Sequence, residues 1–385
     1  MILSTLVLLA ALSPAQLAQQ ILIADTHIDA PSIQAKQWTD LKGMESRDFS
    51  YSSAKQGGLN LSFMSVYTSP TQDEIGTALQ SAQNQMDAME ALAFRHPDKF
   101  YIVRNPTQFK SGDRRIALTF GMENAAPMGD DPSRLAQFAE RGVSYITLAH
   151  SGNNRIADSS YAMDKKWNGL SPLGRQVVGE MNRLGIMVDV SHLSDDAALQ
   201  ATQLSTAPVI ASHSAFRHFT PGFERNISDD LAKAIAAKGG VIHVTFGTQF
   251  VNAQDALGLR DYFIELKKFK DRYTSDVANG IKPPLTEAEW DKQWDRDHPA
   301  GKASVKEVAD HIEYGVKLVG IDHIGIGSDF DGVGDYLPDG LKTAADYPNL
   351  IAELRNRKFT DSQIRKIMGG NTLRVWRDTY ARRHK

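Results

Sequence analysis

The chain has 385 residues, 42% of them hydrophobic, and a formal net charge of −3. That is ample apolar material for one large core or two small ones, and the charge balance offers no electrostatic footprint for nucleic acid or an anionic membrane. Cysteine is absent, which excludes disulfides, a thiolate nucleophile, Cys-based zinc sites and a lipid-modified N-terminal Cys.

Ile2 to Leu12 form an uncharged apolar run, followed by the small residues Ser13, Ala15 and Ala18. This has the form of a signal-peptide core without its basic leader, and it is too short to span a bilayer. The expectation is a signal peptide over 1–18, cut after Ala15 or Ala18, a periplasmic or secreted product, and a single domain over 19–385. The competing reading is a short N-terminal element packed under the fold. No other stretch is long and apolar enough to cross a membrane.

Beyond it, β-branched runs alternate with helical stretches, the pattern of repeated βα units. Eight principal strands are predicted at Ile21–Asp25, Leu59–Tyr67, Ile116–Phe120, Val143–Leu148, Ile186–Val190, Val209–Ser212, Val241–Phe246 and Ile324–Ser328. Helices are predicted at Asp73–Arg95, Asp131–Arg141, Leu173–Leu184, Ser194–Leu204, Asp229–Lys238 and Val305–Val319. Ser194 suits an N-cap ahead of Asp195 and Asp196. Phe100–Val103 reads as a ninth, peripheral strand. Val251–Ser304 is long, charged and helical, broken at Lys282-Pro283-Pro284, and reads as an insertion after strand seven. The fold expected is α/β, a (β/α)8 TIM barrel. The basic end (Arg374, Arg377, Arg382, Arg383, Lys385) reads as a solvated tail.

Several of these strands end in metal-ligand chemistry. His27 and Asp29 follow the first, two apart, a spacing that puts both on one side of a strand. Glu123 follows the third, His192 the fifth and His213 the sixth. Each alone has a plainer explanation: a chance His-x-Asp, a cap, a core histidine bonded to a carbonyl. Jointly, three His and two carboxylates at the carboxyl ends of parallel strands converge on one rim, where a hydrolytic metal centre belongs. A carboxylate such as Glu123 can bridge two cations. His150 after the fourth strand and Asp329 after the eighth are further candidates, for oxyanion stabilisation and proton transfer. Glycines in the last strand would let a ligand approach.

In order along the chain, DTHID at Asp25–Asp29, YITLAHSGNN at Tyr145–Asn154, NGLSPLGRQVVGEMNRLGIMVDVSHLSD at Asn168–Asp195, APVIASHS at Ala207–Ser214, RNISDD at Arg225–Asp230 and GIGSDFDGV at Gly325–Val333 resemble the renal (membrane) dipeptidase family of the metal-dependent amidohydrolase superfamily. The resemblance runs from about Ile21 to Asp378. It implies two zinc ions per chain, His27 and Asp29 on one, His192 and His213 on the other, with Glu123 bridging. It further implies hydrolysis of free dipeptides by metal-activated water. His150 would meet the substrate carbonyl, Arg225 the terminal carboxylate through its planar fork, and Asp329 would serve as acid/base and anchor for the free amine. Apart from the resemblance, Arg225 reads as a surface salt bridge ahead of a helix capped by Ser228. Two segments depart from the family pattern: Asn124-Ala125-Ala126 after Glu123, where many members have glycines, and Phe246–Phe250 after strand seven. Both bear on substrate preference more than on metal binding.

Rival readings share the scaffold, since fold and metals do not fix substrate. They are another amide, lactone or ester hydrolase, or a family member recruited to mature a secreted peptide metabolite. A non-catalytic binding protein would not need every ligand type retained. Asp329-Phe330-Asp331-Gly332 is no kinase motif, because no nucleotide loop accompanies it. A homodimer is left open as the assembly.

Overall fold

The computed structural model describes residues 12–41, 47–299 and 301–383. Nine strands form one parallel sheet: β1 Ala24–Ile28, β2 Leu61–Tyr67, β3 Phe100–Ile102, β4 Ile116–Glu123, β5 Val143–Thr147, β6 Met187–Asp189, β7 Ile210–Ser214, β8 Val241–Val244 and β9 Ile324–Ile326. Eight run in the order β1-β2-β4-β5-β6-β7-β8-β9, while β3 flanks the first half of β4, with Tyr101 opposite Ala117. The sheet curls into a barrel whose seam joins β1 to the segment after β9. There the Asp29 amide donates to the Phe330 carbonyl (2.9 Å) and the Asp329 amide to the His27 carbonyl (3.0 Å). Asp25 staples the same seam, accepting from the amides of His27 and Ser328 on one oxygen and from the Tyr347 hydroxyl on the other.

All barrel strands but the tip of β2 are buried along their length, which is why they read as continuous apolar runs rather than alternating ones. Ala24, Leu61, Phe63, Tyr145, Ile210 and Val241 pack within one cluster, plugged by Trp376. The helices wrap the outside. Ser171, Ser194 and Ser228 each accept a backbone N–H at the start of one of them, supplying a partner that the first helical turn lacks.

Some expectations are corrected. The first strand starts three residues later than predicted, because Ile21–Ile23 rises from a short helix, Pro14–Ala18, and Ile23 donates its amide to the Asn60 side chain. His27 therefore lies inside β1. The third strand does not stop at Phe120 but continues through Gly121 to Glu123. A Cβ on Gly121 would lie 2.0 Å from the Tyr145 ring, so this glycine makes room rather than ending the strand. The 73–95 helix is two, Pro70–Glu74 and Ala78–Arg95, parted at Gly76 in left-handed backbone (φ 73°). The glycines of the last strand serve packing, not a ligand: a Cβ on Gly325 would strike His243, and one on Gly327 the Ser212 carbonyl. The basic end, of which Lys385 lies outside the described residues, begins as a packed helix rather than a tail, although Arg377 and Arg382 are exposed. Asn371–Ala381 is a helix under the barrel, with Val375, Trp376 and Thr379 buried, and Arg374 donates to the carbonyls of Gly239 and Asp322.

The predicted insertion is a helical hairpin, Ala253–Ala278 and Glu287–Asp297. Of the 26 residues in its first helix only Ala256 is fully buried, so the hairpin stands proud of the barrel. Among the described residues, no helix is long and apolar enough to cross a membrane. Of the apolar Ile2–Leu12 run, all but Leu12 lies outside the described residues.

Candidate metal centre

The carboxyl ends of the strands bring Asp29, Glu123, His150, His192, His213 and Asp329 to one cavity, with His27 fully buried beside Glu123. Glu123, 4% exposed at the end of β4, stands at the centre. Its Oε2 faces His27 Nε2 at 3.6 Å. Its Oε1 faces His192 Nε2 at 3.0 Å, His213 Nε2 at 3.3 Å and His150 Nε2 at 3.5 Å. Asp29 and Asp329 approach His27 Nε2 at 3.4 Å and 4.0 Å. The carboxylate thus divides two sets of nitrogen donors between its two oxygens.

Supporting hydrogen bonds fix which ring nitrogen is free. The Tyr145 hydroxyl donates to the Thr26 carbonyl (2.9 Å), so it accepts from His27 Nδ1 (2.7 Å) and leaves Nε2 with its lone pair toward the site. Ser212 does the same for His213: its hydroxyl donates to Asp189 (2.6 Å) and accepts from His213 Nδ1 (2.8 Å). Asp189 is itself held by the amides of Ser191 and Ser212 and by the Thr147 hydroxyl. Such outer partners are what orient metal-ligating imidazoles. His192 and Asp329 both adopt left-handed backbone, φ 66° and 68°, a strained conformation for residues with a Cβ that concentrates at functional positions.

The donor set fits metal ions. His27 Nε2 is buried with no hydrogen-bond partner, a cost the fold bears without return unless something binds there. His192 and His213 present their Nε2 atoms 2.8 Å apart. Ligand atoms sharing one tetrahedral ion at roughly 2.0–2.2 Å sit about 3.4 Å from one another, so the spacings at both oxygens of Glu123 suit a cation between them. Three overlapping triads converge within 4.8 Å: His27–Asp29–Glu123, Glu123–His150–His192 and His27–His213–Asp329. His150 and Asp329 therefore stand close enough to touch a cation as well as a substrate.

Burial dominates the electrostatics, and the neighbours decide its outcome. It pushes the Glu123 carboxyl up, but His150, His27, His192 and His213 together outweigh it and hold the group well below the carboxylate range. For Asp329, burial prevails; Asp29 and Glu123 add to it, His27 and Arg225 oppose it, and the carboxyl sits well above its ordinary value. Burial, with Arg225 near His192 and His27 beside His213, keeps both imidazoles neutral, the form that binds a metal.

Arg225 is no surface residue: it is 2% exposed and stacks on Phe250 (4.6 Å to the ring centre). It donates to Ser214 Oγ and the His213 carbonyl, both at 2.8 Å, and its Nη2 lies 3.2 Å from His192 Nε2. Among the described residues no carboxylate lies within ion-pair distance of it. A buried cation without an anion is expensive, and this one points at the metal-binding cluster.

The cavity above these groups has a volume of about 340 Å3. Its wall adds residues the sequence reading missed: Tyr67 from the end of β2, Tyr161 and Gly332 from the barrel loops, Leu259 and Phe263 from the insertion. Burial holds the Tyr161 phenol up at about 12, against the pull of Arg225 beside its hydroxyl. A Cβ on Gly332 would lie 2.3 Å from Asp29 Oδ2 and 2.6 Å from Asp329 Oδ1. Only contacts across the fold reveal these residues; no local motif marks them. A larger cavity of about 710 Å3 lies next to this one between the insertion helices, sharing Gln249 and Leu259, but holds none of the predicted site residues.

A parallel barrel with a His/carboxylate metal-binding cluster at the carboxyl ends of its strands defines a metal-dependent hydrolase. Residues 13–385 match the model of the membrane dipeptidase family, peptidase family M19, and the chain belongs to that family of metallo-dipeptidases. It is 30% identical over 334 residues to the dipeptidase tcpJ of Claviceps purpurea (84% of this chain, 67% of that one) and 33% identical over 302 residues to the dipeptidase verJ of Clonostachys rogersoniana (77% and 65%). The chain thus spans about two thirds of the length of these curated relatives. A solved structure, the probable dipeptidase PvdM from Pseudomonas aeruginosa, superposes with a TM-score of 0.81 at 29% identity, covering 96% of this chain and 98% of that one. The fold is shared by a metallopeptidase from Rhodobacter sphaeroides solved with a phosphinate mimic of L-Ala-D-Ala (TM-score 0.75, 22% identity, 93% and 99% covered).

Proposed function

We propose that the chain is a binuclear zinc dipeptidase that cleaves free dipeptides. His27 and Asp29 would hold one zinc, His192 and His213 the other, and Glu123 would bridge them through its two oxygens. Bound there, the ions would supply an activated water and polarise the substrate carbonyl. Asp329 holds a proton readily because it is buried among carboxylates, which suits a group that receives a proton and passes it to the departing amine. His150, neutral and partly exposed on the cavity side of Glu123, is placed to donate toward the carbonyl oxygen.

The observation that carries the dipeptide reading is Arg225, a buried cation with no carboxylate partner among the described residues, whose guanidinium reaches His192 Nε2. A hydrolase of uncharged amides or esters would have no use for that charge. Arg225→Ala should lose on the order of 2–5 kcal/mol in kcat/KM toward a free dipeptide and far less toward the corresponding dipeptide amide. Equal losses on the two substrates would hand the reading to a general amidohydrolase.

We also propose export, from the apolar Ile2–Leu12 run. Ser13 caps the Pro14–Ala18 helix, whose Leu17 and Ala18 are buried in the barrel core. A cut after Ala18 would remove the buried Leu17 and Ala18, and one after Ala15 would remove the Ser13 cap and the first residues of this helix, so processing belongs before Ser13. N-terminal sequencing of the native protein tests this, and recovery of Met1 on the folded protein would refute it.

A further inference from the structure

Arg225 is close to the metal ligands but does not itself line the cavity; of the wall residues around it, Phe250, His192, His213 and Tyr161, only Tyr161 brings a hydroxyl. Tyr161 is 7% exposed, and its ring is packed from several sides: Phe263 of the insertion at 4.3 Å, Phe223 at 5.3 Å, and His192 stacked at 5.5 Å. Its backbone is tied to two site residues. The Ser159 hydroxyl donates to the His150 carbonyl and accepts from the Tyr161 amide (3.1 Å), while the Ser160 amide donates to the His192 carbonyl (2.8 Å). The segment cannot shift without moving His150 or His192. A phenol placed so firmly on the cavity wall, beside a guanidinium with no carboxylate partner among the described residues, is positioned like a ligand-binding donor.

We propose that Tyr161 is a substrate-binding residue that donates a hydrogen bond to the C-terminal carboxylate of the dipeptide, so that the anion is held between its hydroxyl and the Arg225 guanidinium. This rests on the dipeptidase reading and refines it. One oxygen of the carboxylate meets the guanidinium and the other the phenol, two donors of different kind on one planar anion. Phe263 then links the insertion to recognition, because the insertion helix presses on the ring that carries the hydroxyl.

The test is Tyr161→Phe, which removes one oxygen and keeps the packed ring. A hydrogen bond to a charged group is worth enough to predict a loss of roughly 10- to 100-fold in kcat/KM on a free dipeptide, carried mainly by KM. Metal content should be unchanged, and hydrolysis of the dipeptide amide should change by less than about 2-fold. The same comparison without turnover uses a phosphinate dipeptide mimic and its C-terminal carboxamide as inhibitors: the variant should weaken the first 10-fold or more and leave the second alone. Equal losses on acid and amide, or none on either, overturn the Tyr161 assignment while leaving the dipeptidase reading standing. A wild-type enzyme that neither cleaves any free dipeptide nor prefers the carboxylate inhibitor overturns both.

Discussion

Gly332 has no side chain, and adding a single methyl there would press on Asp29 and Asp329 at once. Both carboxylates belong to the site, so the displaced atoms would be the ones that bind or move protons. Gly332→Ala is predicted to cut kcat/KM by at least 10-fold, about 1.4 kcal/mol or more, with a thermal midpoint within a few degrees of wild type. Unaltered kinetics would mean that the carboxylates yield without consequence. Glu123→Gln is the complementary change. It replaces a charge shared by four histidines with a neutral amide of the same shape, and should lose both bound metal and most activity. Retention of full metal content by that variant, measured by elemental analysis, would remove Glu123 from its bridging role. His27, Asp29, Glu123, His192 and His213 were legible as candidates in the sequence because each lies in or just after the last residues of an apolar strand run. Gly332, Tyr145 and Tyr161 were not, because their importance lies in what they touch across the barrel. Tyr145 looks like any apolar strand residue until its hydroxyl is seen fixing the His27 ring.

The strands were legible as elements because burial on both faces leaves unbroken apolar runs. Their ends were less so: the third predicted strand stopped at Phe120, and the true end of β4 lies at Glu123. The helix Asn371–Ala381 escaped notice for a different reason. Its inward face is short, centred on Val375 and Trp376, and Arg374 lies along the surface with its head on two carbonyls, as a long cationic side chain can. Trp376, 1% exposed and edge-on to Phe63 at 5.2 Å, closes the bottom of the barrel. Trp376→Ala should cost about 3–5 kcal/mol in urea unfolding. A cost below about 1 kcal/mol would show that the helix is an ornament on a barrel that closes without it. The insertion was visible as a charged helical segment, but not that Leu259 and Phe263 reach the cavity, since most of that helix faces solvent and no periodicity marks the two residues that do not.

For the whole molecule, both stability and activity depend on conditions. His311 is fully buried; its Nδ1 accepts from the Phe216 amide and its Nε2 meets the Val251 carbonyl. Burial depresses its pKa from 6.5 to about 4, so the native state stays neutral where the unfolded chain takes up a proton. The stability this protects is complete above pH 6.5 and drains away as the pH falls toward 4. Between pH 7.5 and 5 the wild type should lose about 2 kcal/mol more than His311→Gln does. Parallel losses in wild type and variant would place the pH dependence elsewhere. The central claim is that two metal ions divided by Glu123 act on a free dipeptide. It is tested most directly by stripping the protein of metal and titrating zinc back while following dipeptide hydrolysis and bound metal together. The account predicts that activity rises with metal and saturates at two ions per chain; full activity at one ion, or hydrolysis undiminished in the stripped protein, would contradict it.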